Sequence, residues 1–206
     1  MDFQDIFKRY GLLVAKADRA FQKMSEEYGD CIECRPHCSD CCHAVFGLFL
    51  VESVYLKNSF NRLDRKKRRE TIRRANKAER DLEKIQVQLQ TSDNDLHNAL
   101  SMKRIRCPLL DERDECILYP SRPITCRVYG VPVAVYGKAR VCGKAGFKKE
   151  KPYPAFDLDA AYKELHSLAK ELLLQIGGQD TENASLLVPV SRAITSSPLL
   201  PSSHLE

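Results

Sequence analysis

CRPHCSDCC, residues 34–42, places four cysteines within nine positions, the last two adjacent. Cys31 lies three residues upstream, so five of the chain's nine cysteines fall within twelve residues. Cys107, Cys116, Cys126 and Cys142 form a second, looser group. Cysteines used only as small buried hydrophobes would be scattered rather than clustered. Gaps of two and three residues let one loop wrap a soft metal with several thiolates. Thiolates favour zinc, copper(I) or iron–sulfur centres over magnesium or calcium. With Cys31 set aside, eight cysteines remain, which is four for each of two sites or eight for one larger assembly. Successive side chains diverge on an extended chain, so Cys41 and Cys42 are expected to reach different metal atoms.

The setting supports thiols rather than disulfides. The first residues carry Asp2 and Asp5, and their apolar residues recur at helical spacing rather than in a block. No secretory signal is expected, and a cytoplasmic location is. Reducing conditions disfavour a disulfide framework, and an odd cysteine count argues the same way. The 206 residues are 43 % apolar and 30 % charged, which suits a globular chain with its own core. No run of 18 apolar residues occurs, so no membrane span is expected.

The pattern predicts a mainly α fold, with helices around an irregular cysteine-rich metal-binding centre and a small β-hairpin. Residues 2–28 carry Phe3, Ile6, Phe7, Tyr10, Leu13, Val14 and Ala17 on one face, with Asp2 as N-cap and Gly29 closing the helix. Residues 46–63 read as a second, buried helix. Residues 64–90 read as a long basic helix with the stripe Ile72, Ala75, Ala78, Leu82, Ile85 and Leu89, broken by TSDND at 91–95. The cluster segment 106–146 offers a hairpin in RCPLLDERDECILYP and a short strand at 131–136. A last helix, 157–176, ends at Gly177-Gly178. One cysteine-cluster domain, 1–178, is expected, followed by a partly disordered tail, 179–206, whose ASLLVPVSRAI docks on the body.

CRPHCSDCC, followed by CPLLDERDECILYPSRPITCRVYG and VCG, resembles the YkgJ-type cysteine-cluster family, described as zinc- or iron-chelating and often as iron–sulfur proteins. The resembling parts are residues 34–53 and 107–143. The resemblance implies Cys34, Cys38, Cys41, Cys42, Cys107, Cys116, Cys126 and Cys142 as ligands. The family is often written Cys-x2-Cys-x2-CysCys, whereas here the first gap is three residues, so Cys31 is a possible extra or alternative ligand. The basic helix is not part of the family motif.

Neighbouring residues have readings of their own. A thiolate site needs N–H groups or cations to offset its charge, and Arg122 and Arg127 flank Cys126. Pairing with acids elsewhere is the equal alternative for both. His37 and His43 could ligate zinc or a Rieske-like cluster, although eight cysteines already fill the ligand count. Glu52 is read as a hydrogen-bond acceptor, a ligand or a helix-surface residue. Pro108 and Pro123 stiffen their loops, and Tyr119 and Tyr129 are read as packing residues.

Residues 62–80 contain ten Lys or Arg and three acids, although the whole chain carries only +5. Such a stripe suits a solvated helix face, an acidic partner or nucleic acid. Other classes are excluded by what is missing. There is no Gly-rich phosphate loop and no Ser-His-Asp grouping. Cys34-x3-Cys38-x2-Cys41 matches the spacing of radical adenosylmethionine enzymes, but the strand–helix alternation of their barrel is absent. The expected function is therefore an iron–sulfur protein with a redox, electron-transfer or cluster-handling role and an unknown protein or redox partner. The alternative is a structural zinc interaction module. A cluster-dependent lysine methylation-like activity, known among relatives in the resembling family, ranks last because no adenosylmethionine-binding loop is visible.

Overall fold

Apolar residues spaced by three and four fold as α1, Phe3–Tyr28, in a computed structural model that describes residues 3–90, 103–177 and 181–196. Ile6, Tyr10, Leu13, Ala17 and Met24 form its buried face. α1 ends at Tyr28, as expected, but Gly29 opens a 3-10 turn, Gly29–Cys31, and does not take the left-handed conformation of a capping glycine. The proposed N-cap Asp2 and the breaker at 91–95 lie outside the described residues, as do Gly178 and residues 197–206.

The chain divides into two compact units, the first from Met1–Cys38 and Arg122–Ser185. In it α1 packs against two helices, the one-turn α4, Ile124–Arg127, and α5, Leu158–Gln175. Asp157 caps α5, its Oδ1 accepting from the Ala160 N–H at 2.8 Å. Leu158, Ala161, Leu165, Leu168, Ala169 and Leu172 bury the inner face. Gly177 ends the helix at φ +83°, a conformation costly for any residue with a Cβ.

A three-stranded sheet of order β3-β2-β4 lies in the same unit, with β2 at Val133–Val135, β3 at Lys138–Arg140 and β4 at Phe156–Asp157. β2 and β3 are the hairpin of the fold. Tyr136 and Gly137 both take positive φ in its two-residue turn.

Arg9 and Glu171 form a two-pronged ion pair between α1 and α5. The Arg9 hydrogen bond holds the Glu171 carboxyl below its usual range. A depressed folded-state pKa gives stability that is present above the unfolded value and lost as pH falls through the folded one. Because Arg9 is partly exposed, Glu171→Gln is expected to cost only about 0.5 kcal/mol at pH 7. The difference should vanish in acid, as thermal melts of both proteins across pH would show.

The second unit is Ser39–Ser121 with Leu186–Glu206. It holds α2, Leu50–Asn61, α3, Arg65–Gln90, and α6, Val190–Thr195, packed together. Leu48, Leu56, Phe60, Ala75, Leu109, Leu118, Ala193 and Ile194 make its core, with Cys107 and Cys116 packed against it. The expected docking of ASLLVPVSRAI takes this form. The Ser191 hydroxyl donates to Glu79 at 2.7 Å, Arg192 pairs with the same carboxylate, and Lys57 donates to the Ile194 carbonyl.

Two sequence expectations shift here. α2 starts at Leu50 rather than 46, because Gly47–Leu48 (β1) pairs antiparallel with Val188–Pro189 (β5). A Cβ on Gly47 would stand 2.5 Å from the Leu187 Cβ. On α3 the buried stripe runs through Thr71, Ala75 and Ala78, while Ile72 is 38 % exposed. Each three-residue step falls about 60° short of a full turn, so two in succession leave Ile72 about 120° from Ala78 and out of the stripe. The expected hairpin at 106–120 reduces to one antiparallel bridge, Leu110 with Cys116. No described helix is long and apolar enough to cross a membrane.

Candidate metal centre

Cys41–His43 forms one 3-10 turn. The turn is fastened to the second cysteine segment through the backbone. The Cys107 N–H donates to the Cys42 carbonyl at 2.7 Å, and Ile105 N–H to the His43 carbonyl at 2.9 Å. Ala44 then bridges Arg104 in antiparallel register. The Arg104 guanidinium reaches back to the Asp40 carbonyl at 2.9 Å and carboxylate at 2.7 Å, clamping the turn. Residues separated by the whole of α2 and α3 are thereby set side by side.

Cys107-Pro108-Leu109-Leu110 is a tight turn, closed by the Leu110 N–H on the Cys107 carbonyl at 3.1 Å. The N–H groups of Leu109 and Leu110 also favour the Cys107 thiolate. Ile117 N–H donates to the Leu109 carbonyl at 2.9 Å, and the Leu110–Cys116 bridge brings Cys116 back to the same turn. Asp111 shapes the excursion between them, its Oδ1 accepting from the N–H groups of Arg113 and Glu115 at 2.9 Å. Arg74 of α3 braces the turn from outside, donating to the Pro108 carbonyl at 2.8 Å.

Four thiols of the second unit therefore share one electrostatic neighbourhood. Burial pushes the Cys107 thiol up to about 12, and the proximity of Cys116 and Cys41 adds to this. Cys42 is raised further, first by its hydrogen bond with Cys41, then by burial, then by the nearby Cys41, Cys107 and Cys116. Crowded thiolates repel one another, and a soft cation is the group that relieves such repulsion.

The adjacent cysteines do not diverge. Their sulfurs lie 4.0 Å apart. Two sulfurs on one tetrahedral ion with metal–sulfur bonds of about 2.3 Å stand about 3.8 Å apart. The expectation of divergent thiols assumed an extended chain, and the 3-10 turn rotates successive side chains by less than the half-turn a strand gives. Among the described residues, no three His, Cys, Asp or Glu side chains already form a group that could hold a metal ion. The set is gathered and electrostatically coupled, but it is not closed to bonding geometry.

The remaining cysteines fall in the first unit. Cys31 ends the 3-10 turn after α1, and its carbonyl accepts from the Gly146 N–H at 2.8 Å. Cys34 is exposed, with its sulfur against Gly130; a Cβ on that glycine would stand 2.1 Å from it. Cys38 follows a turn closed by its own N–H on the Arg35 carbonyl at 2.9 Å. Pro36 and His37 are the central residues, and His37 has φ +67°, the pattern of a type II turn. Cys126 is half-buried on α4. Cys142 is buried, and the Lys144 N–H reaches its sulfur at 3.5 Å. All nine cysteines stand as free thiols.

Of the flanking cations, Arg127 is buried. Its Nη1 donates to both Asp18 oxygens, at 2.9 and 2.8 Å, and its Nε to the Arg122 carbonyl at 2.7 Å. This is the carboxylate pairing that the sequence left open for it. Glu52 is not a surface residue: it is buried, and accepts from the Phe49 N–H at 3.1 Å at the start of α2. Tyr119 is 58 % exposed and so not a packing residue, whereas Tyr129 is half-buried. The thiolate-facing N–H groups of Leu109, Leu110 and Lys144 escaped the sequence reading. The turn residues Pro108 and Gly143 beside two cysteines were the signal for them.

The two histidines differ. His43 Nδ1 donates to the Ser39 carbonyl at 2.9 Å, because a carbonyl can only accept. His37 occupies its turn for backbone reasons and is exposed. A left-handed conformation costs a residue with a Cβ about 1 kcal/mol relative to glycine. His37→Gly should therefore keep or slightly raise thermal stability and leave metal content unchanged; metal loss in this variant would make His37 a ligand.

A family model, CxxCxxCC, described as a putative zinc- or iron-chelating domain, matches residues 33–143. The match takes in eight of the nine cysteines and leaves out Cys31. No curated protein and no solved structure matches the chain. With more than half its length matched by that model, and four thiols gathered around one backbone-paired turn, the chain belongs to the CxxCxxCC family.

Proposed function

We propose that the chain is an iron–sulfur protein whose eight matched cysteines act as two sets of four. Cys41, Cys42, Cys107 and Cys116 are one set, and Cys34, Cys38, Cys126 and Cys142 the other. The convergence of the Cys41 and Cys42 sulfurs in one electrostatic neighbourhood with Cys107 and Cys116 carries the reading. Four thiolates suit a two-iron or four-iron cluster. The chain's own part is to hold the thiolates, shield them by partial burial and stabilise their charge with N–H groups. Of the two cations flanking Cys126, Arg127 faces Asp18, and offsetting the charge of the first unit's set is assigned to Arg122 as part of this proposal. A centre of this kind would serve redox, electron-transfer or cluster-handling chemistry in a reducing compartment such as the cytoplasm.

The 4.0 Å sulfur spacing also favours a second reading, a single tetrahedral zinc per set with a structural role. Anaerobic purification followed by iron, acid-labile sulfide and zinc analysis separates the two. Brown protein with iron and sulfide in both sets supports the first reading. Colourless protein with about two zinc ions per chain overturns it in favour of the second.

A further inference from the structure

α3 carries two faces of opposite character. One is buried through Thr71, Ala75 and Ala78. On the other, Lys66, Arg69, Arg73, Lys77 and Arg80 are all exposed. At 100° per residue these five fall within an arc of about 80° and span about 21 Å of helix. None of their side chains has an ion pair among the described residues, although neighbours do: Lys67 with Asp64 at 3.8 Å and Lys84 with Asp81 at 3.6 Å. Arg74, the cation turned inward, fixes the helix to the Pro108 carbonyl. Three acids border the row, Glu70, Asp81 and Glu83, and none of them pairs with it among the described residues.

Five cations aligned without counter-ions repel one another, so the row costs stability unless a polyanion meets it. The chemistry of the face selects the kind of polyanion. Protein interfaces are built around apolar and aromatic anchors and are depleted of charge at their centre. Beside its cations this face offers only single apolar side chains, Ile72 at its edge and Val87 about two turns beyond Arg80, and no aromatic anchor. Single-strand binders stack bases on aromatic rings, and α3 has none. A straight, mostly guanidinium row instead suits the phosphates of a duplex, which take bidentate hydrogen bonds and form continuous lines of charge.

We propose that this face of α3 binds the phosphate backbone of double-stranded nucleic acid without reading its sequence. The inference rests on α3 alone and stands whichever metal the cysteines take. The test is fluorescence anisotropy of the full, metal-loaded chain with labelled 20-base-pair DNA and RNA duplexes between 50 and 300 mM salt. Five phosphate contacts predict a log–log salt slope of about −4.5, independent of sequence. The triple variant Lys66→Gln, Arg69→Gln, Arg73→Gln should flatten the slope to about −2 and weaken binding at least about tenfold at 100 mM salt. A control removing the same charge elsewhere, Lys23→Gln, Lys151→Gln, Lys170→Gln, should bind nearly as the parent does. Circular dichroism checks that both variants stay folded. No binding at 50 mM salt would overturn the proposal. So would equal loss in both variants, or tighter binding to poly-glutamate than to duplex. Relative affinity for the DNA and RNA arms identifies which duplex is the natural one.

Discussion

Cys107→Ser is expected to remove about half of the bound metal and leave the rest in place. Cys107 is the best-supported thiol of its set: its N–H is donated to Cys42, its sulfur receives the Leu109 and Leu110 N–H groups, and its Pro108 carbonyl is held by Arg74. Serine keeps those backbone bonds and loses the soft donor, so the change acts on the metal and not on the turn. Cys142→Ser should remove the other half, and the double variant nearly all. Metal and sulfide analysis of the three proteins checks this. If either single variant lost all its metal, the eight cysteines would serve one assembly, and the division into two sets would be wrong. The comparison also bears on Cys31, which lies outside the family match: Cys31→Ser should leave metal content at the parental level.

Asp18→Asn is expected to destabilise the chain by about 2–3 kcal/mol. Arg127 is only 6 % exposed, and both oxygens of Asp18 accept from its Nη1. Removing the carboxylate charge leaves a guanidinium buried without its anion, which is worse than removing the whole pair. Asp18 is itself half exposed, and water entering from its side keeps the loss below that of a fully buried pair. For a chain of this size the change corresponds to a melting point lower by about 5–10 °C. A loss under about 0.5 kcal/mol would mean that another anion holds Arg127, and the adjacent Cys126 thiolate is the one the sequence offers.

Periodicity made the long elements legible. α1, α3 and α5 lie within a residue or two of where their apolar spacing put them, because helices of 26, 26 and 18 residues repeat the signal through several turns. The start of α2 was not legible, since it depends on a strand contributed by Val188–Pro189. The hairpin expected at 106–120 is only one bridge. Alternation in a short cysteine-rich segment reflects a turn that presents Cys107 and Cys116, not a ladder.

What the sequence determined by itself is the chemistry and its inventory: nine thiols in a chain with few other candidates, spaced for a soft metal, in a pattern specific enough to give the family. Spacing fixes which ligands one loop can offer, because the chain between them is too short to do otherwise. What only the tertiary structure decided is which cysteines lie in the same unit. Cys38 and Cys41 are three residues apart yet belong to different units, while Cys42 and Cys107 are bonded through their backbones. Backbone pairing between segments 42–44 and 104–107 makes that choice, and the 3-10 turn at Cys41–His43 aims two neighbouring sulfurs at one place. Neither follows from side-chain pattern, because both depend on dihedral angles and hydrogen bonds that any residue at those positions could have supplied.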